Sequence, residues 1–148
     1  MGIANLNEFD LTEINQLNQS ELGYAYSLEK TKLRFNSLIN QPKHHVLVGY
    51  RDDQTNKIIG YIHAEVYEEL YCDPLLNVLA LAVKEEYQRH GIGKQLLQWL
   101  ETEARARGMH GIRLNSGLKR VNAHDFYRAA GYEEIKTQKK FQKTWNPK

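Results

Sequence analysis

The stretch that decides the fold begins with Asn77-Val-Leu-Ala-Leu-Ala-Val83, an apolar run with the length of a buried strand. A short polar linker follows, and then Gln88-Arg-His-Gly-Ile-Gly-Lys94, in which two glycines precede Gln95-Leu-Leu-Gln-Trp-Leu100. Glycine adopts the backbone conformations that tight turns require without a steric cost. The pattern therefore predicts a strand over residues 77–83, a glycine-containing turn, and then a helix.

The segment after the glycines has the periodicity of an amphipathic helix. Arg105 and Arg107 would occupy its last turn, where positive charge suits the helix dipole, and Gly108 follows as a stop. Residues 111–115 then form a second short strand candidate. Strand, helix and strand in this order predict a βαβ unit with parallel strands and a right-handed crossover. The apolar residues on one face of the helix are Ile92, Leu96, Leu97, Trp99, Leu100 and Ala104.

The turn before this helix has the properties of an anion-binding site. The first N–H groups of a helix have no intrahelical partners, and the helix dipole adds partial positive charge there. Gly91 and Gly93 let the backbone approach a phosphate closely, while Arg89, His90 and Lys94 add positive charge.

Two common nucleotide-binding motifs do not fit this turn. A dinucleotide fingerprint would need a third glycine at position 96, which is Leu96. A P-loop would need glycine at position 88 and serine or threonine at position 95, and both positions are glutamine.

The turn instead contains Gln88-x-x-Gly91-x-Gly93, which resembles the Gln/Arg-x-x-Gly-x-Gly/Ala signature of the GCN5-related N-acetyltransferase (GNAT) superfamily. The resemblance continues through Asn115-Ser116 and Asn122-Ala-His-Asp-Phe-Tyr127-Arg-Ala-Ala-Gly-Tyr132, which looks like the second motif of that family that faces coenzyme A. It implies an α/β GNAT-like fold, with a central mixed sheet splayed at two parallel strands and flanked by helices. It also implies acetyl-CoA as co-substrate.

The resemblance assigns cofactor-binding roles to three parts of the chain. In the family, backbone amides of the glycine loop bind the pyrophosphate of acetyl-CoA. Pantetheine is peptide-like, so it hydrogen-bonds exposed strand backbone, and one backbone amide of this strand would also face the oxyanion. The cofactor-binding residues predicted in this way are Leu81, Ala82, Val83, Gln88, Arg89, His90, Gly91, Ile92, Gly93, Lys94, Asn115, Asn122 and Tyr127.

Tyr127 is the predicted catalytic acid. It lies on a helical stripe with Ala123, Phe126 and Ala130, so packing in the core explains its position equally well. The resemblance places a tyrosine here beside the cofactor sulfur. A phenol with a pKa of about 10 is protonated at neutral pH and can donate its proton to a departing thiolate.

Glu65 and Glu68 are the predicted catalytic bases, with Glu69 and Asp73 as alternatives, acting directly or through water. Many members of the family use water relays and have no dedicated base. The acidic stretch from Glu65 to Asp73 favours a cationic acceptor. This stretch starts in the strand predicted over residues 58–67. The polar side of that strand is either a solvated face or a wall facing the substrate, and it carries Tyr61, His63, Glu65 and Tyr67.

The rest of the chain predicts antiparallel strands followed by the βαβ unit, and thus one mixed sheet flanked by helices. Ser27 is predicted to cap a helix that buries, in part, Leu28, Leu33, Phe35 and Leu38. Residues 68–76 read as a loop containing acidic residues. The other predicted elements are strands over 2–5, 45–50 and 58–67, helices over 8–17 and from about 121, and one or two closing strands within 132–145.

The composition indicates one soluble globular domain over residues 1–148, with 41% apolar and 26% charged residues. A net charge of +2 without a long basic run gives no support to nucleic-acid binding. Cys72, as the one cysteine, excludes an internal disulfide and fits a reducing compartment. Without a signal peptide or a long apolar run, we expect a cytoplasmic protein that does not bind membranes.

The leading functional hypothesis is an N-acetyltransferase in which a primary amine of a small molecule, peptide or protein attacks the thioester of acetyl-CoA directly. The alternatives are a non-catalytic acyl-CoA-binding module and a phosphate-ligand binder unrelated to acyl transfer. The six histidines lack metal-ligand spacing, so we expect no metal. The sequence does not fix the oligomeric state; dimers are frequent in the family, so a homodimer is one expectation.

Overall fold

The computed structural model describes residues 2–145, which form two compact units, one ending at Asn115 and the other beginning at Ser116. The second unit contains one described helix, α4 (Val121–Ala129). The described elements of the first unit are, in chain order, β1 (Gly2–Asn5), α1 (Leu11–Glu21), α2 (Leu28–Ile39), β2 (His45–Arg51), β3 (Ile58–Glu69), β4 (Cys72–Val83), α3 (Ile92–Ala106) and β5 (Ile112–Leu114).

The five strands form one mixed sheet in the order β1-β2-β3-β4-β5. The first four are antiparallel to their neighbours, whereas β4 and β5 are parallel and are joined by α3. The predicted mixed sheet and the predicted βαβ unit are therefore confirmed. The prediction of a single domain over the whole chain stays a prediction.

The sheet splays where β4 leaves β5. The parallel pairing covers only Leu76–Val78 of β4, opposite Ile112, Arg113 and Leu114. On its other side β4 stays paired with β3 as far as Val83. Leu79 is an extra residue in this ladder, because Ala64 pairs with Val78 while His63 pairs with Ala80. Residues 79–83 thus continue past the parallel pairing, as expected for a sheet splayed at its two parallel strands.

Helix α3 packs on one face of the sheet through its predicted apolar side. Leu96, Leu97 and Leu100 are almost completely buried, as are Ile62 of β3 and Leu76 of β4. Gly60 allows this close approach, because a Cβ added there would lie 3.1 Å from the Ala82 carbonyl oxygen and 3.4 Å from Leu96 Cδ1. The helix that follows the glycine turn thus forms the core on this face of the sheet.

Helices α1 and α2 cover part of the opposite face. There the side chain of Tyr61 is buried, and its hydroxyl donates a hydrogen bond to Asn18 Oδ1 on α1. Tyr61 is therefore a core residue, and the interpretation of its side of β3 as a fully solvated face is wrong. The core cluster on this face contains Leu11, Ile14, Leu17, Phe35, Ile58, Tyr61 and Ala82.

Three predicted details of the first unit are wrong. Leu33 is 70% exposed, because α2 lies at the periphery and buries only the side that carries Phe35. The first helix is preceded by a 3-10 turn with an Asn7 capping box and continues to Glu21. Residues 68–76 are not a loop, because β3 and β4 extend into a tight hairpin in which Glu69 pairs with Cys72.

In the second unit, α4 ends at Ala129 and Gly131 follows with a φ of 92°, the left-handed conformation expected of a stop. The closing strands predicted within residues 132–145 are wrong, because no described residue there is in a strand. Alternation of apolar and polar residues forms a strand only when a partner supplies the ladder hydrogen bonds. No helix within residues 2–145 has both the length and the apolar character needed to cross a membrane.

Candidate active site

The turn between β4 and α3 is anchored by the side chain of Gln88. Its Nε2 donates to the carbonyl oxygen of Val83, the last residue of β4, at 2.8 Å. The same nitrogen donates to Glu21 Oε1 at the end of α1, also at 2.8 Å. Both side-chain N–H donors of Gln88 are therefore committed within the protein. Its side chain fixes the turn to the end of the strand.

A second anchor connects the turn to the loop between β2 and β3. The Tyr87 hydroxyl donates to Asp52 Oδ2 at 3.0 Å, and the Tyr87 carbonyl accepts from His90 Nδ1 at 3.0 Å. Asp52 is buried and also accepts from the Gln54 backbone N–H and the Thr55 hydroxyl. Burial alone would raise the pKa of Asp52, but these hydrogen bonds outweigh it and lower the pKa.

Two residues of the turn have a backbone conformation that is uncommon outside glycine. Arg89 and Gly91 both have left-handed backbone conformations, with φ of 66° and 81°. Turns that alternate right-handed and left-handed residues often make concavities that bind anions. Gly91 is also the N-cap of α3, and no described side chain caps the helix there. A Cβ added at Gly91 would meet nothing within 4 Å, so the space beside the turn is open.

On the sheet face that also carries α1 and α2, a polar network crosses three strands in register. Glu65 of β3 lies beside Asn77 of β4, which lies beside Arg113 of β5. Asn77 Nδ2 donates to Glu65 Oε2 at 3.0 Å, and Asn77 Oδ1 accepts from Arg113 at 2.8 Å. The guanidinium also lies over the Tyr67 ring, 4.3 Å from its centroid.

Histidines continue this network toward β2. His45 Nδ1 and His63 Nε2 lie 3.1 Å apart, and His44 Nε2 is 3.9 Å from Glu65 Oε1. Burial, with the charge of His45, lowers the pKa of His63 to about 4. Burial also lowers the pKa of His45, with a further contribution from His44. His45 and His63 are therefore neutral at pH 7, and one donates a hydrogen bond to the other.

The two predicted bases lie in different surroundings. Glu65 is half-buried in the network described above. Glu68 is exposed near the tip of the β3–β4 hairpin. Because side chains alternate along a strand, Glu68 points to the opposite face of β3 from Glu65. The structure thus groups Glu65, but not Glu68, with other polar side chains of the sheet.

In the second unit, Tyr127 lies in an aromatic cluster on α4. Its ring centroid is 5.2 Å from that of Phe126 and 6.0 Å from that of Tyr132. Burial raises the pKa of Tyr127, although the positive charge of Arg120 opposes the shift. The phenol is therefore protonated at neutral pH and able to donate. Asn122 is exposed in the first turn of the same helix.

Comparison with known proteins identifies the family. Residues 11–132 match the acetyltransferase (GNAT) family, which is most of the chain. The chain belongs to the acetyltransferase (GNAT) family. This membership confirms the family expected from the Gln88-x-x-Gly91-x-Gly93 motif, and with it the expectation of an acetyltransferase. Enzymes of the GNAT family generally use acetyl-CoA.

A curated relative agrees with the GNAT assignment. The chain is 30% identical over 82 residues to the aminoalkylphosphonate N-acetyltransferase of Salmonella typhimurium. That match covers 55% of this chain and 53% of the relative, so the chain spans about half the length of this relative.

Solved structures share the fold along nearly the whole chain. The aminoglycoside 6'-N-acetyltransferase AAC(6')-IG of Acinetobacter haemolyticus aligns with a TM-score of 0.82 and 18% identity, covering 99% of this chain and 100% of that one. Glucosamine-6-phosphate N-acetyltransferase of Arabidopsis thaliana gives a TM-score of 0.80 and 17% identity, covering 95% and 96%. At this identity, the similarity shows that the GNAT fold is shared.

Asn77 and Arg113 of this GNAT chain were not predicted from the sequence as members of the polar network. Each interrupts an apolar run, Asn77 at the start of Asn-Val-Leu-Ala-Leu and Arg113 within Gly-Ile-Arg-Leu. That interruption was the available signal. Which strand residues face each other depends on the register of β4 with β3 and β5, and a local pattern does not give that register.

Proposed function

We propose that this protein transfers an acetyl group from acetyl-CoA to a primary amine by direct attack of the amine on the thioester. The observation that carries the proposal is the uncapped N-terminus of α3, preceded by two left-handed residues, in a chain of the GNAT family. In this proposal the N-terminus of α3 binds the pyrophosphate of acetyl-CoA, because helix N-termini bind phosphate groups. The bound acetyl-CoA then supplies the acetyl group for the transfer typical of the family.

In this proposal the backbone of the turn, not the side chain of Gln88, binds the pyrophosphate. The N–H groups come from Arg89, His90 and the first residues of α3, Ile92, Gly93 and Lys94. Both side-chain N–H groups of Gln88 already bond Val83 and Glu21, so Gln88 contributes by holding the turn in shape. Open space beside Gly91 accommodates the phosphate oxygens.

The splayed end of β4 is the proposed site for pantetheine. Leu81, Ala82 and Val83 lie past the last residue of β4 that pairs with β5. A strand edge without a ladder partner presents backbone N–H and C=O groups to a peptide-like ligand. The Val83 carbonyl already accepts from Gln88, and part of the backbone of these residues pairs with β3, so the proposal relies on their remaining backbone groups. Asn115 and Asn122 are proposed to bind pantetheine through their side chains.

Starting from the neutral amine, the proposed reaction needs two proton transfers; an acceptor that binds as an ammonium ion must first lose one further proton. The neutral amine attacks the thioester carbonyl, a C–N bond forms, and the C–S bond breaks. Glu65 accepts the proton from the amine, directly or through water, while Glu68 remains a second candidate base. Tyr127 donates a proton to the departing thiolate, and the raised pKa of its phenol keeps that proton available.

The acceptor is proposed to be a small amine. The relative from Salmonella typhimurium is named for acetylating aminoalkylphosphonates, which are small primary amines. The acidic side chains near the β3–β4 hairpin, including Glu65, favour a cationic ammonium group before it loses its proton.

The experiment that tests the proposal combines cofactor binding with turnover. Acetyl-CoA at a hundredfold excess over its Kd should stabilise the protein by about 2.7 kcal/mol, seen as a higher Tm. Free thiol should appear when acetyl-CoA is mixed with a panel of primary amines. Gly91→Glu should abolish the Tm increase, because a carboxylate would enter the phosphate site.

Gly108→Glu is the matched control. Gly108 follows the other end of α3, has a φ of 71°, and like Gly91 has nothing within 4 Å of an added Cβ. Both variants thus carry the same backbone strain and the same new charge, but only one lies at the proposed anion site. An acetyl-CoA response that survives in Gly91→Glu, or disappears equally in both variants, would remove the turn from the proposal.

A further inference from the structure

We infer that the amine acceptor also carries an anionic group, a carboxylate, phosphonate or phosphate, and that Arg113 binds this group. The inference rests on the proposed function and specifies the class of acceptor. It starts from the state of Arg113, a half-buried cation at the edge of the sheet.

The guanidinium of Arg113 is held in one orientation. One terminal nitrogen donates to Asn77 Oδ1 at 2.8 Å, and the other lies 3.4 Å from Asn115 Oδ1. Its central carbon, Cζ, lies over the Tyr67 ring, 4.3 Å from the ring centroid. Two of the five N–H donors of the group are used in this way, and residues 2–145 supply no acceptor for the others. An ordered guanidinium with free donors is preorganised for a planar or tetrahedral anion.

Arg113 has no counter-ion in the described part of the chain. No carboxylate of residues 2–145 lies within 4.0 Å of it. The comparable half-buried arginines do have one, since Arg51 pairs with Asp10 at 2.9 Å and Arg107 pairs with Glu103 at 3.0 Å. Because a partly desolvated charge is costly without a partner, the missing anion is expected to come from a ligand.

The neighbouring strand explains why Glu65 does not neutralise Arg113. Asn77 lies between them in register, donating to Glu65 through its amide nitrogen and accepting from Arg113 through its amide oxygen. At the usual spacing of strands, the Cα atoms of Glu65 and Arg113 are about 10 Å apart. Asn77 therefore keeps a negative and a positive group separate on one face of the sheet.

Such a pair of charges matches a compact zwitterion. The ammonium group of the acceptor would lie near Glu65, which is also the proposed base, and its anionic group would lie at Arg113. Binding at two points orients the amine before it attacks. Arg113 is thus a specificity-determining residue, which does not take part in the bond changes.

Three amines of similar size test this inference. The anionic arms are 3-aminopropionate for a carboxylate and O-phosphoethanolamine for a phosphate, and the neutral arm is 3-methylbutylamine. Wild-type protein should prefer at least one anionic amine by roughly 10-fold or more in kcat/KM, as expected for charge-assisted hydrogen bonds. Arg113→Gln should lower kcat/KM for that amine by roughly 10- to 100-fold and leave 3-methylbutylamine within about 3-fold.

Two further variants separate charge recognition from folding. Arg113→Lys keeps the positive charge but loses the planar set of guanidinium N–H donors, so it should retain part of the preference for the anionic amine. Arg105→Gln, at an exposed arginine of α3, removes the same charge elsewhere and should leave the preference intact. If Arg113→Gln does not fold, Arg113→Lys and the wild-type preference carry the test.

The outcomes distinguish this inference from the proposed function. Two results would overturn the inference while the acetyltransferase function stands. In the first, wild-type protein acetylates 3-methylbutylamine and shows no preference for either anionic amine. In the second, a folded Arg113→Gln variant loses kcat/KM equally for all amines. If no amine is acetylated, the proposed function fails, and the inference about Arg113 is tested by binding alone. In that case 3-aminopropionate or O-phosphoethanolamine should still raise the Tm of wild type but not that of Arg113→Gln. The absence of that increase would overturn the inference as well.

Discussion

At Tyr127, a packing role and the proposed role as a catalytic acid fall on the same residue. Its spacing with Ala123, Phe126 and Ala130 fits a packing stripe, and in the structure its ring does contact Phe126 and Tyr132. The same burial raises the pKa of the phenol, which keeps the proton on the oxygen at neutral pH. Packing is therefore compatible with the proposed role as an acid, and a substitution must separate the two.

Tyr127→Phe makes that separation, because it keeps the aromatic packing and removes only the proton donor. General acid catalysis contributes about 10²–10⁴-fold, so kcat should fall by roughly that range. Acetyl-CoA affinity and Tm should change little. The decrease should be smaller with a thioester whose leaving thiol is more acidic, since that thiolate needs protonation less. The measurement is kcat under conditions in which the chemical step limits the rate.

Tyr132→Phe is the control for this prediction. It makes the same chemical change in a ring whose centroid lies 6.0 Å from that of Tyr127. A loss of kcat that is confined to Tyr127→Phe supports the acid role. Wild-type kcat in Tyr127→Phe would leave that tyrosine as a packing residue, with the proton donor still to be identified.

At the scale of elements, the shape of the glycine turn depends on anchors outside α3. Gln88 ties it to the end of β4 and to α1, while Tyr87 ties it to Asp52 in the loop after β2. The left-handed conformation of Arg89 is unfavourable for a residue with a side chain, so surrounding contacts must hold it. We therefore expect the anchors to contribute to acetyl-CoA binding without touching the ligand.

Tyr87→Phe tests this expectation by deleting the hydrogen bond to Asp52. Loss of this hydrogen bond to a carboxylate should loosen the turn and appear as a roughly 5- to 20-fold higher Kd for acetyl-CoA. The kcat at saturating acetyl-CoA should be nearly unchanged, because no reacting group is altered. Isothermal titration with acetyl-CoA gives the affinity.

Tyr61→Phe is the comparison for the Tyr87 variant. It also removes a tyrosine hydroxyl that bonds another element, in this case Asn18 on α1, but it is not part of the glycine turn. Both variants should lose stability, while only Tyr87→Phe should lose acetyl-CoA affinity. An equal effect on affinity in both would mean that general loosening, and not the turn, governs binding.

At the scale of the whole molecule, sequence alone was sufficient for the fold and for the glycine turn. Local signals specify these features: two glycines before a strongly amphipathic helix, and an apolar strand on each side of it. The β3–β4 hairpin was missed because Glu68, Glu69 and Asp73 resemble loop residues, whereas strand pairing between distant residues decides their structure. The prediction of closing strands beyond Tyr132 was wrong for the opposite reason. The residues there alternate between apolar and polar, but no described strand pairs with them.

The candidate site likewise has one part that the sequence predicts and one part that it does not. The residues of the turn follow from a local motif, so they could be named from sequence. The Glu65–Asn77–Arg113 network depends on the register of three strands, two of them separated by α3. Neither the spacing of residues nor their type determines that register, which is why Glu65 was proposed as a base without its two neighbours.

The stability of the molecule should fall below pH 6.5 because of the histidines between β2 and β3. Burial lowers the pKa of His63 to about 4 and lowers that of His45, whereas an unfolded histidine has a pKa of about 6.5. The unfolded chain therefore binds protons first as the pH falls. The stability provided by the neutral pair is complete above pH 6.5 and is lost progressively toward pH 4, by at most about 1.4 kcal/mol per pH unit for His63.

The window from pH 6.5 to 5 isolates this effect. The buried carboxylates Asp10 and Asp52 have lowered pKa values, so their contribution to stability is lost only at more acidic pH. Urea unfolding at pH 7.5, 6.5, 5.5 and 5.0 should therefore show a falling midpoint in wild type. His63→Gln removes the most strongly shifted group and should flatten this dependence, even if it lowers stability at every pH. His110→Gln, at an exposed histidine, should retain the wild-type slope. If the wild-type midpoint stays constant between pH 6.5 and 5.0, the two histidines are not held neutral by their burial between the strands.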